Sequence, residues 1–397
     1  MPIQSLNKDE KKIYVFLILL IVFFASLPAL NPVVFFGHDL EFHINRIEQI
    51  AEGIRQLKLP IRVYFNNYEG YGYGFPMFYP ELFLFIPAVI YLIGVPVVYC
   101  YNFFVILVNL ATALSSYYSF YRIAKNKAAG LIASAAYCLS VYRLLDVYTR
   151  ASVGEYTALI FCPLIVVGMV QILRGENEKW YILAIGTWGV LQSHILTLVM
   201  LAGCCFLFFA VNIKSYLQKD KIVSLFKAAA TVVLTNLWFV VPLLEGMQLD
   251  LNVKHTGHDV VLYEDLWRTK SYPAQIFDIL QQNVFADKSL ERGPSGKIAF
   301  TVGIVILIGT LLFVFSRLIS RKKPEGYIYA ILGIELLGLW MTSIFFPWGI
   351  IQRIPPLATF FEKFQFIWRF YVIAMLFGSP IAGIGFYEFL IEGAQKL

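Results

Sequence analysis

Long apolar blocks separated by short basic clusters dominate the chain. The blocks run Ile13–Phe36, Tyr101–Tyr121, Ala128–Tyr142, Tyr156–Leu173, Trp180–Ile213, Ala228–Leu244, Ile298–Ser316, Gly326–Phe346 and Phe366–Tyr387. A helix needs about 20 apolar residues to cross a bilayer, so most blocks predict one span each. Trp180–Ile213 is too long for one span and carries a polar break at Gln192-Ser193-His194, which predicts two short helices meeting there. Leu82–Gly94 is short and contains Pro87, which predicts a re-entrant or interfacial helix rather than a span. The charges agree. If Leu82–Gly94 does not cross, the clusters Arg122/Lys125/Lys127, Arg174/Lys179, Lys214/Lys219/Lys221/Lys227, Arg317/Arg321/Lys322/Lys323 and Lys396 share the side of the N-terminus, the cytoplasmic side by the positive-inside rule. The expectation is an all-α polytopic protein of the cell membrane with about ten transmembrane helices and both termini cytoplasmic. It forms a single membrane domain over residues 1–397. The first block follows Lys8, Lys11 and Lys12 and is too long for a signal-peptide core, which predicts an uncleaved anchor.

Composition supports this reading. The chain is 59% hydrophobic and 15% charged, against about 25% charge in soluble domains. A large soluble core is excluded. The net charge of +6 sits in topology clusters, so it implies no nucleic-acid partner. Cys100, Cys138, Cys162, Cys204 and Cys205 lie in or beside apolar blocks without metal-type spacing, and no disulfide is inferred. No Walker or Rossmann glycine pattern provides a nucleotide site.

The unusual polar residues fall on the face opposite the basic clusters. That face holds the segments 37–100, 143–155, 245–297 and 347–365 and the bend at His194. In the first segment Leu40, Ile44, Ile47, Ala51, Ile54 and Leu57 recur at helical spacing, with Glu41, Asn45, Glu48, Glu52 and Arg55 opposite. This predicts an amphipathic helix along the membrane surface, stopped by Pro60. Asp39, His43 and Arg46 would share one stripe of it. Next, half of the residues from Tyr64 to Tyr79 are aromatic, interleaved with Gly and Asn. Such a segment serves either as an interfacial belt or as a wall that stacks on a ligand, with Tyr71 and Tyr79 as candidates. Segments 37–100 and 245–297 would cap an outward-facing site.

The pattern Asp39-x-x-x-His43-x-x-Arg46, then Gly70-Tyr71-Gly72-Tyr73-Gly74-x-Pro76 and Tyr79-Pro80, resembles the bacterial membrane-protein family labelled "6-pyruvoyl-tetrahydropterin synthase related". Downstream, Arg150-Ala151-x-x-x-Glu155 with Pro163, Ser193-His194-x-x-Thr197, Trp238-x-x-Pro242 and Gln365-Phe366-x-Trp368-Arg369-Phe370 extend the resemblance over nearly the whole chain. That family is similar to the GT-C superfamily of membrane glycosyltransferases. The resemblance implies a GT-C-like fold and a polyprenyl-phosphate-linked sugar as donor. It also implies an outward-facing site and an acid after the first span as general base or metal contact. Here the acidic pair is Asp39-x-Glu41 rather than two Asp.

The residues themselves suit glycosyl transfer, which needs a carboxylate for the acceptor's proton and cations for the leaving phosphate. Asp39 is the first candidate base; it is equally placed to cap a helix. Glu41 is the second acid or a solvated side chain. Arg150 and Glu155 would form a phosphate clamp and acidic contact, or an interfacial ion pair. Arg369 would bind an anion or snorkel to the interface. His194 would serve the site or pack. Asp39 and Glu41 could take a divalent cation. His255-x-x-His258, with His38 and His43, offers a zinc alternative. No cofactor is assigned on spacing. The competing readings are a transporter or flippase for a lipid-linked sugar and a non-catalytic assembly partner; protein partners are not legible.

Overall fold

The computed structural model describes residues 8–32, 37–248, 301–319 and 324–392. Among the described residues the chain is helical without strands; an antiparallel bridge pairs Tyr64 with Tyr73. The helices are α1 (Lys8–Ser26), α2 (Leu40–Arg55), α3 (Phe85–Leu92), α4 (Val97–Ala124), α5 (Lys127–Cys138), α6 (Val141–Leu145), α7 (Val153–Ala158), α8 (Cys162–Leu173), α9 (Trp180–Leu191), α10 (Ile195–Val211), α11 (Ile213–Tyr216) and α12 (Lys219–Gln248). After the undescribed stretch come α13 (Ile304–Ile319), α14 (Gly326–Thr342), α15 (Trp348–Ile351), α16 (Pro355–Glu362) and α17 (Tyr371–Phe386).

Among the described residues six helical stretches are long and apolar enough to cross a membrane: Lys8–Leu30, Val97–Ala124, Lys127–Arg150, Val153–Leu173, Lys219–Gln248 and Ile367–Leu390. The chain is a multi-pass helical membrane protein. Every apolar block carries a helix, but α9, α10, α13 and α14 are shorter. The polar break divides α9 from α10 at residues 192–194, and α3 has only 8 residues, too short to span.

One predicted segment differs. Residues 143–155, expected as a loop, are helical except at Ala151-Ser152: α6 runs into a π-turn, Asp146–Arg150, and α7 follows. Asp146, Arg150 and Glu155 are all buried there and pair with one another, so their charges do not demand a water-exposed loop.

The chain divides into two compact units. One is drawn from Met1–Ser119, Asp146–Leu198 and Lys214–Leu251, the other from Phe120–Leu145, Val199–Ile213 and Asn252–Leu397. In the first, α2 packs on α3 through Leu40, Ile47, Ile50 and Ala51. They join a core with Tyr64, Leu84, Ala88, Phe104 and Tyr156. Full burial of each large apolar side chain is worth about 1.5–3 kcal/mol. Helices α8 and α9 also meet closely: a methyl group on Gly168 would lie 2.7 Å from the Leu183 backbone, as expected where small residues let membrane helices touch.

In the second unit α17 is buried along almost its whole length and packs against α5, α13 and α14. Gly385 faces the Gly309 carbonyl of α13 so closely that no side chain fits. Thr310 of α13 donates to the Glu335 carboxyl of α14 at 2.6 Å, giving this buried acid one partner.

Candidate functional site

The site grows from the buried face of α2 in the first unit. His43 and Arg46 lie one turn apart on that face, 3% and 1% exposed. A guanidinium at this depth must spend its donors on fixed acceptors. Arg46 Nη2 donates to the Pro80 carbonyl at 2.8 Å, Nε to the Tyr64 hydroxyl at 3.4 Å, and Nη1 to His43 Nδ1 at 3.1 Å. The rings of Phe42, Phe75 and Tyr79 surround the guanidinium carbon at 5.8, 5.4 and 4.7 Å. Desolvated cation–π contacts of this kind are worth up to about 2 kcal/mol each.

The guanidinium has no lone pair, so His43 Nδ1 accepts and the remaining ring proton belongs on Nε2. Burial holds His43 well below its ordinary 6.5, and the charges of Arg46 and His194 push in the same direction. The imidazole is therefore neutral at physiological pH and presents an N–H rather than a lone pair at Nε2.

The aromatic segment supplies the wall. Gly70 and Gly72 adopt positive φ, +90° and +88°, which permits the tight reversal that pairs Tyr64 with Tyr73. Tyr73 stacks on Phe75 (5.5 Å between centroids), Phe75 on Tyr79 (5.0 Å), and Tyr79 tilts against His194 (6.2 Å). The ladder leads from the surface-exposed Tyr68, edge-on to Tyr73, inward to buried His194. His194 is oriented by Thr197, whose hydroxyl lies 2.8 Å from Nδ1. Gly154 of α7 completes the wall. A methyl group there would overlap the Tyr79 hydroxyl and come 2.8 Å from the Ser193 carbonyl.

Glu81 is one residue that sequence reasoning missed. It is 7% exposed, and its Oε1 lies 3.8 Å from Arg46 Nε without a hydrogen-bond partner. Burial pushes its carboxyl up to about 8, against the pull of Arg46 and Arg62. At that separation the attraction to Arg46 is the weaker effect. The available signal was an acid directly after the aromatic run and before the apolar Leu82–Leu84.

Asp39 occupies the N-cap position of α2, yet its side chain makes no capping bond. The carboxylate is exposed. Its backbone N–H donates to the Arg150 carbonyl at 2.9 Å, and that of His38 to the Thr149 carbonyl at 3.1 Å. The structure thus brings the start of α2 against the π-turn. Arg150 itself is held by two acids through one nitrogen, Nη1: Asp146 at 2.5 Å and Glu155 at 2.9 Å. Arg150 and Glu155 thus form an ion pair, with Asp146 as a second acid, and all three are buried. Asp146 was not singled out, although its i, i+4 spacing to Arg150 was readable.

Of the other candidates, Glu41 and Tyr71 belong to the first unit and Arg369 to the second. Glu41 is exposed on the polar side of α2. Tyr71 is 92% exposed at the tip of the loop and lies off the stacked ladder. Arg369, in the second unit, lies in the turn Ile367–Phe370 before α17; its Nη1 donates to the Phe364 carbonyl (2.9 Å) and to Gln365 Oε1 (3.1 Å) over the Phe366 ring. His255 and His258, and nearly all of segment 245–297, lie outside the described residues. Among the described residues no three His, Cys, Asp or Glu side chains converge as a metal site. The chain matches no family model and no curated protein sequence.

Proposed function

We propose that the chain is an integral-membrane glycosyltransferase of the GT-C kind. Its donor is a sugar on a polyprenyl phosphate and its acceptor is a cell-envelope molecule on the outer face. With the basic clusters taken as cytoplasmic, about ten spans and both termini inside, Asp39 falls on the outer face in this proposal. The observation that carries the reading is the exposed Asp39 carboxylate at the head of the helix that holds the buried His43–Arg46 pair. In the proposed reaction the acceptor hydroxyl oxygen bonds to the anomeric carbon while Asp39 takes its proton. The bond from that carbon to the phosphate oxygen breaks, and polyprenyl phosphate leaves. His43, with its proton on Nε2, and the fixed charge of Arg46 behind it suit the developing phosphate anion. Tyr79 and His194 form the wall against which the sugar packs, and Glu41 supports the acidic end.

Envelope glycans compared among wild type, a deletion strain and the deletion complemented with Asp39→Asn test this. The deletion should remove one glycan, and Asp39→Asn should fail to restore it. An unchanged glycan profile in the deletion strain would sink the proposal.

A further inference from the structure

A cavity of about 350 Å³ in the first unit is lined in part by Glu81. Its walls are apolar: Ile61, Pro76, Leu82, Phe85, Trp238 and Phe239. Two polar groups line it. One is Glu81, more than nine-tenths buried, with Oε1 lacking a hydrogen-bond partner. The other is Arg62, which donates from Nη2 to the Trp238 carbonyl at 2.6 Å. A guanidinium has five N–H donors, so this bond leaves Arg62 donors for a ligand. Trp238 and Phe239 belong to α12, one of the stretches long enough to cross a membrane, and Trp238 is 44% exposed beside Leu234, Leu237 and Val241, which are exposed too. The cavity is therefore walled in part by a helix that is long and apolar enough to cross a membrane and that exposes apolar side chains.

We infer that this cavity binds a single-chain carboxylate amphiphile drawn from the membrane, its chain against the apolar walls and its carboxylate on Arg62 and Glu81. The size falls at the small end of ligand pockets, about 300–1,000 Å³, which suits one chain and excludes a two-chain lipid. The charge balance selects the head. One guanidinium offers one positive charge and a fork that matches two parallel oxygens. Glu81 in its protonated form adds a hydrogen-bond donor. A phosphate monoester, with nearly two negative charges, would be undercompensated beside a buried carboxyl. Neither Asp39 nor His43 lines this cavity, although Glu81 also lies 3.8 Å from Arg46 of the candidate site.

The test uses the purified full chain in lipid nanodiscs with palmitate carrying a photoreactive diazirine. Labelling should saturate, map to residues 59–62, 82–85 and 238–239, and be competed by unlabelled palmitate but not by hexadecanol. Arg62→Gln should weaken labelling about tenfold or more, the loss of a charge-assisted pair. Glu81→Gln, which keeps the shape and a donor, should weaken it far less. Labelling of wild-type protein that does not saturate or maps elsewhere overturns the inference. So does competition by hexadecyl phosphate stronger than by palmitate. If Arg62→Gln fails to fold, the wild-type map and the competition series decide alone.

Discussion

Arg46 donates a hydrogen bond to Nδ1 of His43 across 3.1 Å, and this bond sets which nitrogen of the histidine carries its proton. A neutral imidazole so arranged is a donor at Nε2. It cannot serve as the base of a transfer reaction without first breaking that bond. In the proposed reaction the base is therefore a carboxylate, and Asp39 and Glu41 are exposed acids at the head of the same helix.

His43 should therefore titrate well below its ordinary 6.5. Its folded value lies below its unfolded one, so its contribution to stability is complete above pH 6.5 and is lost as pH falls through the folded value. Nitrogen-15 NMR of histidine-labelled protein should show one His with a bare Nδ1 through the range where free imidazole protonates. A signal that titrates normally, missing only from His43→Gln, would contradict this.

Glu81 should act in the opposite sense. Its folded value of about 8 lies above the ordinary 4.5, so the protonated form is favoured by folding. The stabilisation is complete below pH 4.5 and is lost as pH rises through 8. Glu81→Gln stays neutral, so thermal unfolding in detergent should be flatter with pH for the variant. At the alkaline end the variant should be the more stable protein, by roughly 3–5 kcal/mol at most. Parallel curves for the two proteins would show Glu81 ionised at neutral pH.

Arg150 should be a structural keystone. Its removal strands the buried carboxylates of Asp146 and Glu155. Arg150→Gln should cost about 3–5 kcal/mol, and adding Asp146→Asn should recover part of that loss. Urea or thermal midpoints measure both. A stable Arg150→Gln protein with reduced donor affinity would instead restore the phosphate-clamp role.

How much of this was legible in the sequence depends on how local the cause is. The break at His194 could be read because three polar residues interrupt an apolar run, and α2 because its periodicity is local. The depth of α2 could not. His43 and Arg46 count as polar, so the helix reads as lying on a surface. They are buried because partners 34 and 35 positions along, Pro80 and Glu81, and the rings of Phe75 and Tyr79 close over them. Likewise residues 143–155 read as a loop because Asp146, Arg150 and Glu155 were not read as one buried group. Paired, they fit inside a helical segment.

Gly154→Ala should disturb the site without touching a charged group. The added methyl group overlaps the Tyr79 hydroxyl, and overpacking of this kind costs about 1–3 kcal/mol. Tyr79→Phe removes the overlapping oxygen, so the double variant should regain part of the stability. The Ser193 carbonyl, 2.8 Å from the new methyl group, prevents full recovery. Melting temperatures of the four proteins in the cycle report this coupling; strict additivity would place Tyr79 away from Gly154.

The most direct measurement is transfer itself. Purified wild-type protein and Asp39→Asn, reconstituted in liposomes, are given radiolabelled polyprenyl-phosphoryl sugars and an envelope extract. Wild type should release free polyprenyl phosphate as label enters the acceptor, and Asp39→Asn should be slower by about 10²–10⁴-fold, the usual share of a general base. Equal rates would remove Asp39 from the chemistry, and no transfer by wild type from any donor tried would contradict the transferase assignment.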